Sequence, residues 1–231
     1  MENHRVKRLV SIIIPAYNEE KIIGETLITL LKECSIENVS FEIIVVDDGS
    51  TDQTAVIAKK MGVHVVRLAK NVGKGDSLKE GLKKSTGDTI VFLDADVGSS
   101  SKEVVKIITP ILNDRADVVI ARFGKAKRKG GFGIVKKISL YGTKLLTGQY
   151  IQSVLSGQRA FKAEIAKKLR IEKGFGAEVG MTIDLVRMGC RIHECDVNMH
   201  HDETGRNLKG FLHRGRQLLD ISFTLLKKIW Q

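Results

Sequence analysis

Asp94 and Asp96 close the run TIVFLDADVGSS, from Thr89 to Ser100, with one residue between them. On an extended backbone two such carboxylates point the same way; if the chain turns, they splay. Thr89 to Leu93 is short, apolar and β-rich, which predicts a buried strand. A buried unpaired carboxylate is very costly, so both aspartates belong at the carboxyl edge of the sheet. Open α/β sheets keep their ligands at that edge. Carboxylates beside a phosphorylated ligand are a usual way to hold Mg2+ or Mn2+. Taken alone, the pattern equally fits two solvated loop acids, or Asp96 capping a helix that starts near Ser100.

Three more predicted strand ends carry residues of the same kind. Leu9 to Ile14 reads as a strand closed by Pro15, followed by Ala16, Tyr17, Asn18, Glu19 and Glu20. Asn18 is placed to cap a helix from Glu19 to about Glu33. Phe41 to Val46 is a second strand, ending in Asp47-Asp48-Gly49-Ser50-Thr51-Asp52, with Ser50 and Asp52 in capping positions. Val63 to Leu68 is a third, followed by the basic loop Asn71 to Gly75 and a helix to about Lys84. Strands alternate with helices over the first hundred residues, which predicts a parallel, doubly wound α/β sheet. Tyr17, Glu19, Asp48, Lys74, Gly75, Asp94 and Asp96 then share one edge, as a nucleotide site requires. Neither a GxxxxGK[ST] loop nor a GxGxxG fingerprint is present.

The totals narrow the class. A chain of 231 residues suffices for one domain with a real core. A net charge of +11 favours anionic partners: phosphorylated metabolites, nucleic acid or an acidic membrane. Nucleic acid is disfavoured, because few aromatics interleave with the basic residues. Cys34, Cys190 and Cys195 have no metal spacing, and no leader or membrane span is evident. The expectation is a cytoplasmic protein with reduced thiols.

SIIIPAYNEE, IIVVDDGSTDQT, NVGKGDSLKEG and FLDADVG, in that order, resemble the nucleotide-sugar-binding half of GT-A glycosyltransferases over residues 9–100. The resemblance implies a GT-A fold, a Rossmann-like, mainly parallel mixed sheet flanked by helices, with residues 101–210 as the acceptor half. It implies that Pro15, Ala16, Tyr17, Glu19 and Asp48 hold the base and ribose. Lys74 and Gly75 would lie beside base or phosphate, Asp94 would face the ribose, and Asp96 would bind the metal.

Ser156-Gly157-Gln158-Arg159-Ala160-Phe161 resembles the segment that opens the acceptor lobe of polyprenyl-phosphate sugar transferases, and makes Gly157 an acceptor-side residue. GFGAEVGMTIDLVRMGC, from Gly174 to Cys190, is similar to a segment of glucosyl-3-phosphoglycerate synthases. Glu178 stands there at a predicted helix start, where the dipole favours its ionised form. It suits a base for an acceptor hydroxyl, a group that holds the acceptor, or a simple capping carboxylate. It admits both retention and inversion. In those enzymes a strand and a histidine metal ligand follow. Here Arg191 to Met199 is the predicted strand, His201 the matching ligand with His200 its rival, and Arg206 a phosphate contact. The synthases use an arginine and a hydroxyl residue in a Gly-Gly loop for the acceptor; Gly130 to Lys137 offers Lys136 and Lys137 instead. Phe211 to Trp230 is an amphipathic helix, fit to dock on its own domain, to pair a homodimer or to lie on an anionic membrane. The sequence therefore predicts a metal-dependent glycosyltransferase that uses a nucleotide-sugar donor, with UDP-glucose leading. The acceptor is an anionic small molecule such as 3-phosphoglycerate, or a lipid phosphate. A catalytically silent nucleotide-binding module is the rival of another class.

Overall fold

The computed structural model describes residues 8–124, 133–199 and 208–231, with side chains in the last segment from residue 215 onward. Its strands are β1 (Arg8–Ala16), β2 (Val39–Asp47), β3 (His64–Arg67), β4 (Thr89–Phe92), β5 (Val118–Phe123), β6 (Arg159–Lys162) and β7 (Ile192–Val197). Its α-helices are α1 (Ile23–Glu33), α2 (Thr54–Lys60), α3 (Lys74–Lys84), α4 (Val104–Leu112), α5 (Ile134–Thr147), α6 (Ala163–Ala166), α7 (Ala177–Arg187) and α8 (Leu208–Ile229). The strands form one sheet in the order β3-β2-β1-β4-β6-β5-β7. Only β6 runs against its neighbours, antiparallel to both β4 and β5. The result is a mixed α/β sheet, mainly parallel.

Strand alternation sorts the core into two layers. Ile12 and Ile14 of β1 join Leu27, Leu30, Ile107 and Ile108 under α1 and α4. Ile13, between them, points to the other face and packs with Leu78, Met181 and Leu185 of α3 and α7. Leu140, Val154, Val179, Ile183 and Ile221 make a smaller third cluster where α5, α7 and α8 meet.

Pro15 does not close the first strand. β1 continues to Ala16, with Pro15 paired to Val46 of β2. Pairing with β4 stops at Ile13 and Phe92, so Pro15 sits where one side of the strand has no ladder to interrupt. Pro110 likewise lies inside α4, which runs on to Leu112. It cannot donate to the Lys106 carbonyl, and Cys195 Sγ approaches that oxygen at 3.6 Å. Glu42 of β2 accepts the amides of Thr86 at 2.6 Å and Gly87 at 3.2 Å, fixing the entry to β4. Among the described residues no helix is long and apolar enough to cross a membrane.

Candidate active site

The first two strand ends are stitched into a single surface. Asp48 donates its amide to the Ala16 carbonyl at 2.8 Å. Asn18, at φ +56°, donates its amide to Ser50 Oγ and accepts the Thr51 amide on Oδ1, both at 2.9 Å. The Glu19 amide donates to Thr54 Oγ1 at 2.8 Å, and the Glu20 amide to Asp52 Oδ2 at 3.1 Å. Asn18 therefore braces the second loop and does not cap α1, which begins at Ile23, four residues later than its sequence suggests. Ser50 does not cap α2, whose N-cap is Gln53, and neither does Asp52, which accepts the Thr54 amide at 3.0 Å from the turn before that helix. Burial alone would raise its carboxyl pKa; the hydrogen bonds from Thr54 and Glu20 outweigh that and lower it. On this double loop Tyr17 is exposed, Pro15 and Glu19 are half-buried, and Ala16 is buried.

Asp48 is buried, and both its oxygens accept backbone amides, Val72 on Oδ1 and Gly73 on Oδ2, each at 2.8 Å. This holds the glycine-rich loop down at the point where α3 starts with Lys74. Gly75 comes next, and a Cβ there would lie 2.3 Å from the Glu172 carbonyl, so the backbone of that segment passes too close for a side chain.

Lys74 reaches across the sheet edge. Its Nζ stands 2.7 Å from Asp94 Oδ1 and 3.3 Å from Glu178 Oε1. Burial alone would pull its pKa down, but Asp94 and then Glu178 carry it well above the usual lysine value. Gln158 Nε2 donates to the other Asp94 oxygen, Oδ2, at 2.7 Å. Gly157 leaves room for this arrangement: a Cβ there would meet Lys74 Nζ at 2.4 Å and Asp94 Oδ2 at 3.2 Å. Residues distant in sequence, Lys74, Asp94, Gly157 and Glu178, thus meet in one place. An ammonium between two carboxylates can turn its charge to a phosphate oxygen, while the carboxylates accept sugar hydroxyls.

Behind the cluster, Arg159 is wholly buried. It donates from Nε to the Ser156 carbonyl at 2.8 Å, and from Nη2 to those of Val154 at 2.9 Å and Glu178 at 3.0 Å. One guanidinium fixes both the Gly157 loop and the first turn of α7. Burial pushes its pKa down to about 10, against the opposing charge of Glu178. Sequence reasoning assigned no role to Arg159 or Gln158; their only signal was the run in which they follow Gly157.

The Asp94–Asp96 turn is held from below by α1. Thr26 Oγ1 donates to the Ala95 carbonyl at 2.8 Å and accepts the Gly98 amide at 2.9 Å. Glu25 Oε1 accepts the Ser99 amide at 3.1 Å. The 3-10 turn Gly98–Glu103 that follows has Val97 at its N-cap, so Asp96 is not the cap. Asp96 is half-buried on this turn, and a carboxylate is the kind of group that can hold Mg2+ or Mn2+. Among the described residues no three histidine, cysteine, aspartate or glutamate side chains gather around a point. His201, its rival His200 and Arg206 lie outside the described residues. Lys136 is exposed in the first turn of α5, on a helix that packs against α7 and α8.

A mainly parallel sheet with one reversed strand, carrying acidic and basic groups at its carboxyl edge, is the architecture of a GT-A glycosyltransferase. Residues 11–170 match the model of glycosyl transferase family 2, and the chain belongs to that family. It is 39% identical over 168 residues to an uncharacterised protein of Methanocaldococcus jannaschii, covering 69% of this chain and 67% of the relative. It is 33% identical over 187 residues to the UDP-N-acetylglucosamine–dolichyl-phosphate N-acetylglucosaminyltransferase of Methanococcus voltae, covering 70% of this chain and 72% of that one. Among solved structures, glucosyl-3-phosphoglycerate synthase from Mycobacterium tuberculosis in complex with Mg2+ and UDP superposes with a TM-score of 0.79 at 26% identity. That match covers 96% of this chain and 79% of the synthase.

Proposed function

We propose that the chain transfers a sugar, glucose in the leading reading, from a UDP-sugar to an anionic, phosphorylated acceptor such as 3-phosphoglycerate. The observation that carries this reading is the junction of Lys74, Asp94 and Glu178 beneath Gly157. It joins the donor half, residues 9–100, to the acceptor half, residues 101–210, at one point of a single domain. The superposed synthase, crystallised in complex with Mg2+ and UDP, supports the donor and the metal.

In this reading Pro15, Ala16, Tyr17 and Glu19 line the base, and Asp48 holds the loop that presents Lys74 and Gly75. Asp94, oriented by Gln158, accepts ribose or sugar hydroxyls. Asp96 and His201 hold the cation, and Arg206 meets phosphate. When bound, Mg2+ or Mn2+ offsets the charge of the diphosphate as it leaves the sugar. Lys74 adds a second positive charge at the same stage, aimed where negative charge develops. Gly157, Lys136 and Glu178 receive the acceptor, and Glu178 orients its hydroxyl or takes its proton. The bond from the anomeric carbon to the diphosphate breaks, and one to the acceptor oxygen forms.

A polyprenyl-phosphate acceptor is the second reading, favoured by the similarity to the dolichyl-phosphate transferase of M. voltae. The test is a screen of UDP- and GDP-sugars with Mn2+ or Mg2+, scored by melting temperature and nucleotide release, with 3-phosphoglycerate and a polyprenyl phosphate offered in parallel. If no nucleotide sugar shifts the melting temperature in the presence of metal, the donor assignment fails. Asp96→Ala is expected to abolish turnover, whereas a silent module has none to lose.

A further inference from the structure

Helix α8 docks by one stripe and turns an apolar one to water. Ile221, Thr224 and Lys228 are buried, with Lys228 Nζ 2.6 Å from Asp184 of α7. The outer face of a helix docked this way is normally polar. Leu219, Phe223 and Leu226, spaced i, i+4 and i+7, lie on the opposite side of α8, and Trp230 continues the row just past its last residue. Helix α5 repeats the arrangement. Ser139, Leu140 and Thr143 are buried, while Ile134, Tyr141 and Leu145 face outward. These seven outward side chains are each more than half exposed, from 51% at Ile134 to 89% at Trp230. The two helices lie side by side, with Gly142 against Leu225. Large apolar side chains left exposed in a row on a packed helix mark an interaction face.

The charges around it choose the partner. α5 has no acidic residue and carries Lys137 and Lys144, both exposed, beside its stripe. On α8, Arg216 is exposed, and the one acid, Asp220, accepts the Phe175 amide at 3.1 Å. A second copy of the same face would set lysine against lysine, which opposes pairing. An anionic bilayer meets both features, taking apolar side chains at its acyl boundary and ammonium groups among its phosphates. We propose that α5 and α8 together form a docking surface for an anionic lipid bilayer. The proposal does not depend on which acceptor the enzyme uses.

Trp230 is the only tryptophan of the chain and continues the stripe, so it reports the event directly. Full-length protein is mixed with vesicles of phosphatidylcholine alone, or of phosphatidylcholine with phosphatidylglycerol. With the anionic vesicles the Trp230 emission is expected to shift to the blue and the protein to sediment with lipid, less so at high salt. Phe223→Ser combined with Leu226→Ser should reduce partitioning about tenfold or more. Lys137→Glu with Lys144→Glu should reduce it too, with circular dichroism and melting temperature unchanged in both. The proposal is overturned if the wild-type emission stays put with every vesicle, or if the serine variant binds as the wild type does. It is overturned equally if Trp230 is already blue-shifted without lipid in a protein that sediments as a dimer.

Discussion

Arg159 Nη2 donates to the Glu178 carbonyl at 3.0 Å, so a buried cation stands directly behind the helix turn that carries the Glu178 carboxylate. The same guanidinium holds the Ser156 and Val154 carbonyls, and with them the loop bearing Gly157. Arg159→Met keeps much of the length and loses every one of these bonds. Three carbonyls lose a charged donor, which is expected to cost about 3 kcal/mol in urea unfolding. Arg159 touches no ligand in the proposed reaction, so it is a positioning residue. Its loss should lower kcat well beyond any rise in the KM for donor. Equal effects on both would show that it supports the fold alone.

Gly157→Ala tests the junction from its open side. The added Cβ would lie 2.4 Å from Lys74 Nζ, the far end of a flexible chain that can move aside. The fold should then tolerate the change, with a stability loss within about 1 kcal/mol. The cost falls on chemistry, because Lys74 moves from its place between Asp94 and Glu178. Nucleotide release is expected to fall about tenfold or more, while the melting temperature moves by only a few degrees. Activity near the wild-type level would separate the lysine's position from turnover.

β1, β2 and β4 were legible because each carries an apolar run, Leu9 to Ile14, Phe41 to Val46 and Thr89 to Leu93, though β1 runs on through Pro15 to Ala16. β6 was not, since four residues with Arg159 at one end and Lys162 at the other read as loop. Arginine is among the residues least often wholly buried, and the three carbonyls gathered around it, with the charge of Glu178, offset the cost of its burial. The start of α1 was misplaced for a related reason. Asn18 has the chemistry of a cap, but its left-handed backbone turns its side chain to Thr51, in the loop after β2. Of the candidate site, the motifs drew attention to Lys74, Asp94 and Glu178, which the fold brings together. That Lys74 pairs with Glu178, over a hundred residues away, follows from the crossing of the two halves and from no local pattern.

Thr26→Val removes a hydroxyl at almost constant volume. The Ala95 carbonyl and the Gly98 amide, both buried against Thr26, would lose their partner. The expected penalty is about 2 kcal/mol, measured by thermal or urea unfolding. The Asp94–Gly98 turn would also lose its anchor to α1, so apparent affinity for Mn2+ in the donor complex should weaken. Thr26→Ser should restore both readouts, since it returns the hydroxyl. A valine variant with wild-type metal dependence would mean that the turn is held by its other contacts, among them the Glu25 bond to the Ser99 amide.

Glu42 makes the acid limb of stability testable. Its carboxylate accepts hydrogen bonds from the Ser11 hydroxyl and from the amides of Thr86 and Gly87. Burial alone would raise its pKa; the bond from Ser11, then those from Thr86 and Gly87, outweigh it and hold the pKa below the ordinary glutamate value. A carboxyl depressed in the folded state binds its proton more readily when unfolded. Its stabilisation is therefore complete above the unfolded pKa, about 4.3, and is lost as pH falls through the lower folded value. At pH 7, Glu42→Gln should unfold at lower urea concentration, by about 1 kcal/mol. Below about pH 4 the gap between the two proteins should narrow, because the wild-type carboxyl gains a proton and loses its acceptor strength. Urea melts at neutral and acid pH measure this directly. A constant gap across that range would mean that the glutamine's shape, and not the lost charge, causes the difference.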